Sequence, residues 1–365
     1  MLILSIKIDE IVRLIKEKKT IQHVQISIAE ETALEIRDLV EALAASDIEF
    51  FGGVFPKIIH ENKIYDEGIV VTFLENVVHT SMMRNIEHNN FEVPTINFLP
   101  NEHYSLITFV DGLTANISNY LSRLYENYGM QTNYFGGGAG SLTLEQKPCV
   151  FNNEGFFMDA AICCILKRKT SIGVKHGWNK LSGPYVVTKA NKNIIQEINW
   201  ENPFKLYQKI IEQDSKTSLN TENFFSIAKG YPFGMVKEGS ESVIRDPLFA
   251  NEKGELICVG EVEENTMVNI KKGDQQSLIN AAEQATEEAL TNSKELKETF
   301  IIDCISRVLF LEDDFQKEIN IVCETIRKKY PKTPISGALT LGEISSFGNG
   351  YLEFYNKTIV IALME

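Results

Sequence analysis

Three stretches of the 365-residue chain repeat one grammar, and that repetition constrains the fold more than any other feature. Each places an apolar strand before a helix, then a glycine-bearing strand, a turn and a closing strand. The first runs from Val24 to Leu74: HVQISI, the helix ETALEIRDLVEALAAS, FFGGVFPKI, a turn at Asp66-Glu67-Gly68, and IVVTFL. The second runs from Tyr104 to Leu166: SLITFVDG, NISNYLSRLYENYG, NYFGGGAGSL, a turn at Asn153-Glu154-Gly155, and FFMDAAICCIL. The third runs from Phe300 to Leu363: FIIDCISRVLFL, EINIVCETIRKKY, ISGALTLGEI, Gly348-Asn349-Gly350, and TIVIAL. A β-α-β-β unit used three times cannot bury its sheet alone, so the units must pack on one another. The spacing predicts an α/β protein of mixed, largely antiparallel sheets. In it the Gly52-Gly53, Gly137-Gly138 and Gly337 steps hold equivalent places. Helices are read from spacing, as in the stripe of Leu34, Ile36, Leu39, Val40 and Leu43 opened by Glu31 or Thr32. The turns carry Asn/Asp-x-Gly chemistry suited to hairpins.

The region between the second and third units, 167–298, breaks the pattern. It reads as a strand, a Gly/Pro-broken loop, the strands YVVTKA and NIIQEI, and a helix opening at Asn202-Pro203 with proline in its first turn. A polar run, DSKTSLNTEN, follows as the best linker. At about 150 residues per domain the length predicts at least two units, and the division expected is 1–210 and 211–365.

Composition narrows the class. Hydrophobic residues make up 44% of the chain and charged residues 24%. That balance is globular. No apolar run is long enough to span a bilayer, and the N-terminus lacks a signal peptide's basic region and cleavage site, so a cytoplasmic protein is expected. A net charge of -14 repels phosphate backbones and disfavours nucleic-acid binding. None of the six cysteines forms a CxxC pair, which excludes a zinc ribbon or thioredoxin motif and points to buried free thiols.

Three groups of residues carry candidate chemistry. Gly136, Gly137 and Gly138 lead into strand-like sequence without the P-loop Lys-Ser/Thr, so they either pack closely against a neighbour or line a small-ligand cavity. His176 lies in Lys175-His176-Gly177-Trp178, where an imidazole beside glycine and an indole suits either a structured loop or a haem ligand. Arg245, Arg307, Glu343 and Asn356 are polar positions in strand-like apolar surroundings. Arg307 and Glu343 are expected to pair across neighbouring strands, either as a structural ion pair or, with Arg245, as a bidentate site for an amino-acid-like ligand. An enzyme would use the Cys304/Arg307/Glu343 corner, but no nucleophile–base pair is recognisable.

The motifs YFGGGAGSL, AAICCIL, IGVKHGWNKLSGPYVVTKANKNIIQEIN, VIRDPL, DCISR, SGALTLGEI and FYNKTIVIAL, in that order, resemble a FIST protein (F-box and intracellular signal transduction) over nearly the whole chain. The resemblance implies a two-part, non-enzymatic bacterial ligand-sensing module, with amino acids among the ligands proposed for the group. One stand-alone branch binds haem b and senses nitric oxide, acting on a histidine kinase or a cyclic-di-GMP enzyme. Likeness to that branch implies His176 as proximal iron ligand, with Gly177 and Trp178 at the macrocycle.

Overall fold

The computed structural model describes residues 1–18, 23–237, 241–291, 293–346 and 352–365. The first unit comprises β1 (Leu2–Ile3), α1 (Ile8–Lys16), β2 (His23–Ala29), α2 (Ile36–Ala44), β3 (Glu49–Phe55), β4 (Lys57–His60), β5 (Lys63–Tyr65) and β6 (Ile69–Leu74). The second comprises β7 (Val77–Arg84), β8 (Tyr104–Asp111), α3 (Ile117–Tyr128), β9 (Thr132–Ala139), β10 (Val150–Asn152), β11 (Gly155–Phe157) and β12 (Ala160–Leu166). The third opens with β13 (Thr170–Lys175) and is then interrupted. The insertion holds β14 (Asn179–Asn191), β15 (Ile194–Ile198), α4 (Pro203–Ser215), α5 (Phe224–Ala228), β16 (Phe233–Met235), β17 (Val243–Arg245), β18 (Pro247–Ala250), β19 (Leu256–Cys258) and β20 (Met267–Lys272). The unit resumes with α6 (Gln275–Thr291), β21 (Glu298–Cys304), α7 (Ile305–Leu311), α8 (Phe315–Lys329), β22 (Ile335–Thr340), β23 (Glu343–Ser346), β24 (Leu352–Tyr355) and β25 (Ile359–Met364).

One register recurs in all three units. The first strand pairs in parallel with the glycine strand, β2 with β3, β8 with β9, β21 with β22, because a helix crosses over between them. It pairs antiparallel with the closing strand, β6, β12 or β25. All other strand pairs among the described residues are antiparallel, as the sequence predicts. Each unit lends its hairpin to another unit's sheet. β10 joins β3, β23 joins β9, and β4 joins β22, which closes a ring of three six-stranded sheets. The insertion forms a seven-stranded sheet of its own. Inner faces meet around Phe51, Phe55, Phe109, Phe135 and Phe300, while helices cover the outer faces. Adjacent Cys163 and Cys164 fall on opposite sides of β12, one in each layer.

The ring locates the glycines. Gly52, Gly136 and Gly337 each sit opposite the residue three before the end of the parallel strand: Ile26, Thr108 and Ile301. A Cβ would fall 2.0, 1.7 and 2.1 Å from those residues' carbonyl oxygens. The equivalent position in the second unit is therefore Gly136, one residue before the expected step. The turns differ too. Asn153-Glu154 closes the β10–β11 hairpin, but its counterpart in the first unit is Glu61-Asn62, and Asp66-Glu67-Gly68 links β5 to β6. Gly348-Asn349-Gly350 lies outside the described residues. Thr32 caps no helix. α2 begins at Ile36, and the Thr32 hydroxyl donates to Ala29 O at 2.6 Å and Gly68 O at 3.2 Å. At α4 the expectation holds: Asn202 Oδ1 accepts from Lys205 N at 3.1 Å, with Pro203 in the first turn, a side-chain cap on an orphan N–H.

The sequence halves do not divide the sheets. β13 pairs with β25, and the β4–β5 hairpin extends the sheet built on β21 and β22.

Candidate functional site

Of the residues singled out in the sequence, His176, Trp178 and Arg307 converge on one buried cluster whose hub is Lys357, while Arg245 and Glu343 have partners of their own. Lys357 occupies the turn between β24 and β25 with φ of 54°. Its carbonyl accepts from Trp178 Nε1 at 3.0 Å and Arg307 Nη1 at 3.3 Å. Its ammonium, fully buried, pairs with Asp246 Oδ2 at 3.0 Å, donates to Lys229 O at 2.9 Å and lies 4.9 Å from the Trp178 ring centroid. Asn356, next in chain, is buried with no hydrogen-bond partner for Nδ2 among the described residues. Arg245, on β17, is buried without a carboxylate in contact among the described residues. It is satisfied instead by carbonyls, Nε on Glu261 O at 2.7 Å and Nη1 on Ile244 O and Phe354 O, both at 3.0 Å.

Arg307 sits on helix α7, not on a strand, and its partner is not Glu343. Its guanidinium grips Glu318 of α8 bidentately, Nε to Oε1 at 2.9 Å and Nη2 to Oε2 at 2.5 Å, with Asp303 Oδ1 at 3.3 Å. The chain turns helical after Cys304, and this carries Arg307 one turn beyond Asp303 and onto α8. The same side chain donates to His176 O at 2.6 Å and Leu278 O at 3.0 Å, so it ties four segments together. Two carboxylates against one guanidinium leave an excess negative charge in a dry interior. Burial and the neighbouring Glu318 push Asp303 well above the carboxylate range, so Asp303 holds its proton.

Glu343, on β23 opposite Gly137, has a separate shell. Oε1 accepts from the Thr340 hydroxyl and Oε2 from Thr358 N, both at 3.1 Å, and the Cys304 thiol also bonds it. Burial raises its carboxyl from 4.5 to about 8. Because the folded state then binds a proton that the unfolded state has released, stability falls as pH rises from about 4.5 to 8. Denaturant titrations across this window should show wild type losing stability relative to Glu343→Gln; matching pH slopes would refute the assignment. The Cys304 thiol is itself pushed up by burial and by Glu343, so it stays a thiol and no activated nucleophile. Gly136, Gly137 and Gly138 back this strand closely. Gly138 N donates to Gly342 O at 2.8 Å, and a Cβ at Gly137 would lie 2.7 Å from Thr340 Cγ2.

His176 follows β13 and is 6% exposed. Its Nδ1 accepts from Trp178 N at 2.8 Å. An acceptor at Nδ1 places the proton of a neutral ring on Nε2. Nε2 faces Glu241 Oε2 at 3.2 Å and Lys271 Nζ at 3.1 Å. Burial, then the charges of Lys271, Arg307 and Lys175, drive the imidazole down to about 2, so it stays neutral. Trp178, 2% exposed, packs on Phe310 with centroids 4.9 Å apart. Gly177, with φ of 77°, approaches α6; a Cβ would lie 2.8 Å from Ser277 O and 2.9 Å from Ala281 Cβ. These residues do not fit a haem. Both ring nitrogens are engaged, Trp178 is covered by protein, and Gly177 packs on α6 instead of opening onto a macrocycle. Among the described residues no group of three or more His, Cys, Asp or Glu side chains is placed to hold a metal ion.

Lys357, Asp246, Asp303, Glu318, Lys271 and Glu241 complete the cluster and are not singled out by sequence reasoning. Asp246 and Lys357 carry the same signal as their neighbours Arg245 and Asn356, a charge inside apolar sequence. Glu318 is hidden within an ordinary amphipathic helix, on its buried side with Phe315, Ile319 and Val322.

Among the described residues no helix is long and apolar enough to cross a membrane. Comparison with curated proteins yields no match. Two family models match in succession, the FIST N domain over residues 22–201 and the FIST C domain over 203–346. His176 and Trp178 fall in the first; Arg245, Asp246, Arg307, Glu318 and Glu343 fall in the second. The cluster thus lies at the seam of the two matched regions, and the chain belongs to the FIST family, whose domains are signal-transduction sensor modules that bind small ligands.

Proposed function

We propose that this chain senses a small, amino-acid-like molecule without haem, and that the buried cluster relays occupancy between its two halves to a histidine kinase or a cyclic-di-GMP enzyme. The observation that carries the reading is the position of Arg307. One side chain from the FIST C region holds the His176 carbonyl of the FIST N region, the Lys357 turn and helices α6 and α8 at once. A joint that shares one guanidinium among these segments couples their positions, so a ligand that shifts one half would bias the other. Its arginines are already occupied by Glu318 and by carbonyls, which suits a relay better than a ligand fork.

Thermal denaturation of the purified chain against a panel of amino acids and small organic acids tests this. A ligand should raise the midpoint by several degrees, as binding to the native state alone requires. Protein from haem-supplemented cells should show no Soret band. A Soret band lost in His176→Ala would overturn the non-haem reading, and a panel without any stabilising compound would overturn the small-ligand reading.

A further inference from the structure

Arg307 bonds through Nε, Nη1 and Nη2 and Arg245 through Nε and Nη1, but a third buried arginine is left with an unpaired nitrogen. Arg168, between β12 and β13, is 6% exposed. Its Nε donates to Glu365 O at 2.8 Å, while Nη2, shut off from solvent, has no hydrogen-bond partner among the described residues. A buried guanidinium nitrogen left without an acceptor is costly and calls for one.

This arginine belongs to the lining of a cavity of about 250 Å³. The cavity lies where the closing strand β6 of the first sheet meets the start of β21 and β22 in the third. Thr72 and Ser336 reach across it, their hydroxyls 3.3 Å apart. His60 contributes Nδ1, also buried and without a partner among the described residues. Glu298 faces the same space from the first position of β21, and its carboxyl is raised to about 7 by burial, with Arg168 opposing the shift. At the rim Lys297 and Glu75 lie 3.9 Å apart and compensate each other.

The inventory selects a ligand. One guanidinium nitrogen lacks an acceptor, two hydroxyls and an imidazole nitrogen can bond a polar substituent, and one carboxyl stands opposite the arginine. The Met1 ammonium, which donates to Val71 O at 2.7 Å, and Lys18 line the same space, so charge count alone does not reject a phosphate; a carboxylate is preferred because its one charge and planar oxygens match the unpaired guanidinium nitrogen. At roughly 30 Å³ per water molecule, the volume corresponds to about eight waters, the size of a molecule of about six to ten non-hydrogen atoms. We propose that this cavity binds a small monocarboxylate, its carboxylate on Arg168 and its polar substituent on Thr72, Ser336 and His60. Arg168 is in the FIST N region and Glu298 and Ser336 are in the FIST C region, so an occupant would bridge the same two halves that the ionic cluster couples. The proposal rests on the small-ligand sensor reading and names its site.

Isothermal titration of the full chain with lactate, alanine and inorganic phosphate tests it. Lactate or alanine should bind and phosphate should not. Arg168→Gln should weaken binding at least tenfold, with Arg168→Lys recovering part of it. Because Arg168→Gln also removes the bond to Glu365, Thr72→Val serves as a milder variant of unchanged shape and should weaken binding severalfold while the melting temperature stays near wild type. Glu298→Gln separates the sources: it should weaken alanine relative to lactate where an ammonium group contacts Glu298, and leave both unchanged or tighten both alike where the carboxylate alone is read. Either pattern supports the site. If a compound from the thermal panel binds Arg168→Gln and Thr72→Val as tightly as wild type, the cavity assignment fails and the sensor reading stands. If phosphate binds better than both carboxylates, the ligand class is wrong. If no compound binds the wild-type chain, both readings fall.

Discussion

Arg307→Met should destabilise the protein by about 3–5 kcal/mol, because it leaves Glu318 charged and buried without a counter-ion. Glu318 is fully buried, and the neighbouring Asp303, a carboxyl that burial keeps protonated, supplies no positive charge to replace the guanidinium. The variant also drops three carbonyls, of His176, Leu278 and Lys357, that Arg307 alone gathers from separate segments. Double-mutant cycles in urea isolate the pair. Arg307→Met combined with Glu318→Leu should be far less damaging than the sum of the two changes, with coupling above about 1 kcal/mol. Arg307→Met combined with Glu343→Gln should be close to additive, since the Glu343 carboxylate contacts Thr340, Thr358 and Cys304 instead. Strong coupling to Glu343 with none to Glu318 would show that the guanidinium lies elsewhere.

Gly136→Ala is the second large effect expected, a loss of about 3 kcal/mol or more. The added Cβ would sit 1.7 Å from the Thr108 carbonyl oxygen, an atom that is part of the β8–β9 pairing and cannot move without opening the ladder. Backbone φ of 156° adds strain for any L-residue. Gly129→Ala is the control. Its φ of 61° and ψ of −162° lie in a region nearly confined to glycine, but nothing lies within 4 Å of the added Cβ. Only the conformational cost of about 1–3 kcal/mol then applies. Gly52→Ala and Gly337→Ala should follow Gly136, since they repeat the same contact in the other two sheets. Denaturant midpoints for the four variants, or soluble yield where they fail to fold, decide the matter. Gly136→Ala no worse than Gly129→Ala would mean that the paired strands spread readily.

The repeat is legible because its signals are local. Alternating apolar residues, a helix of apolar spacing and a glycine that no other residue replaces recur within each unit and need no partner to be read. The same locality explains the errors. Asn153-Glu154-Gly155 and Asp66-Glu67-Gly68 look alike as turn chemistry, yet one closes a hairpin and the other joins two strands of different sheets. Turn residues report backbone dihedrals, not the elements that flank them. FIIDCISRVLF reads as strand as far as Arg307 because it is apolar nearly throughout, and short apolar runs do not distinguish a strand from a buried helix.

By itself the sequence determined that strands, helices and glycine steps alternate three times, that polar residues at 176, 245, 307, 343 and 356 stand in apolar surroundings, and that the motif order is that of a FIST protein. Those properties reside in single segments. The tertiary structure alone decided which charges meet. Arg307 and Glu343 are 36 residues apart and Arg307 and Glu318 only 11, yet helical or extended backbone after Cys304 sets which carboxylate the guanidinium reaches. Long-range pairing set the rest. The pairing of β13 with β25 brings His176 to Lys357, the insertion sets Asp246 against the same turn, and the ring places Thr72 of the first sheet against Ser336 of the third, through contacts between segments about a hundred residues or more apart. No local pattern encodes them, because the free energy that selects them comes from burying three sheets against one another at once.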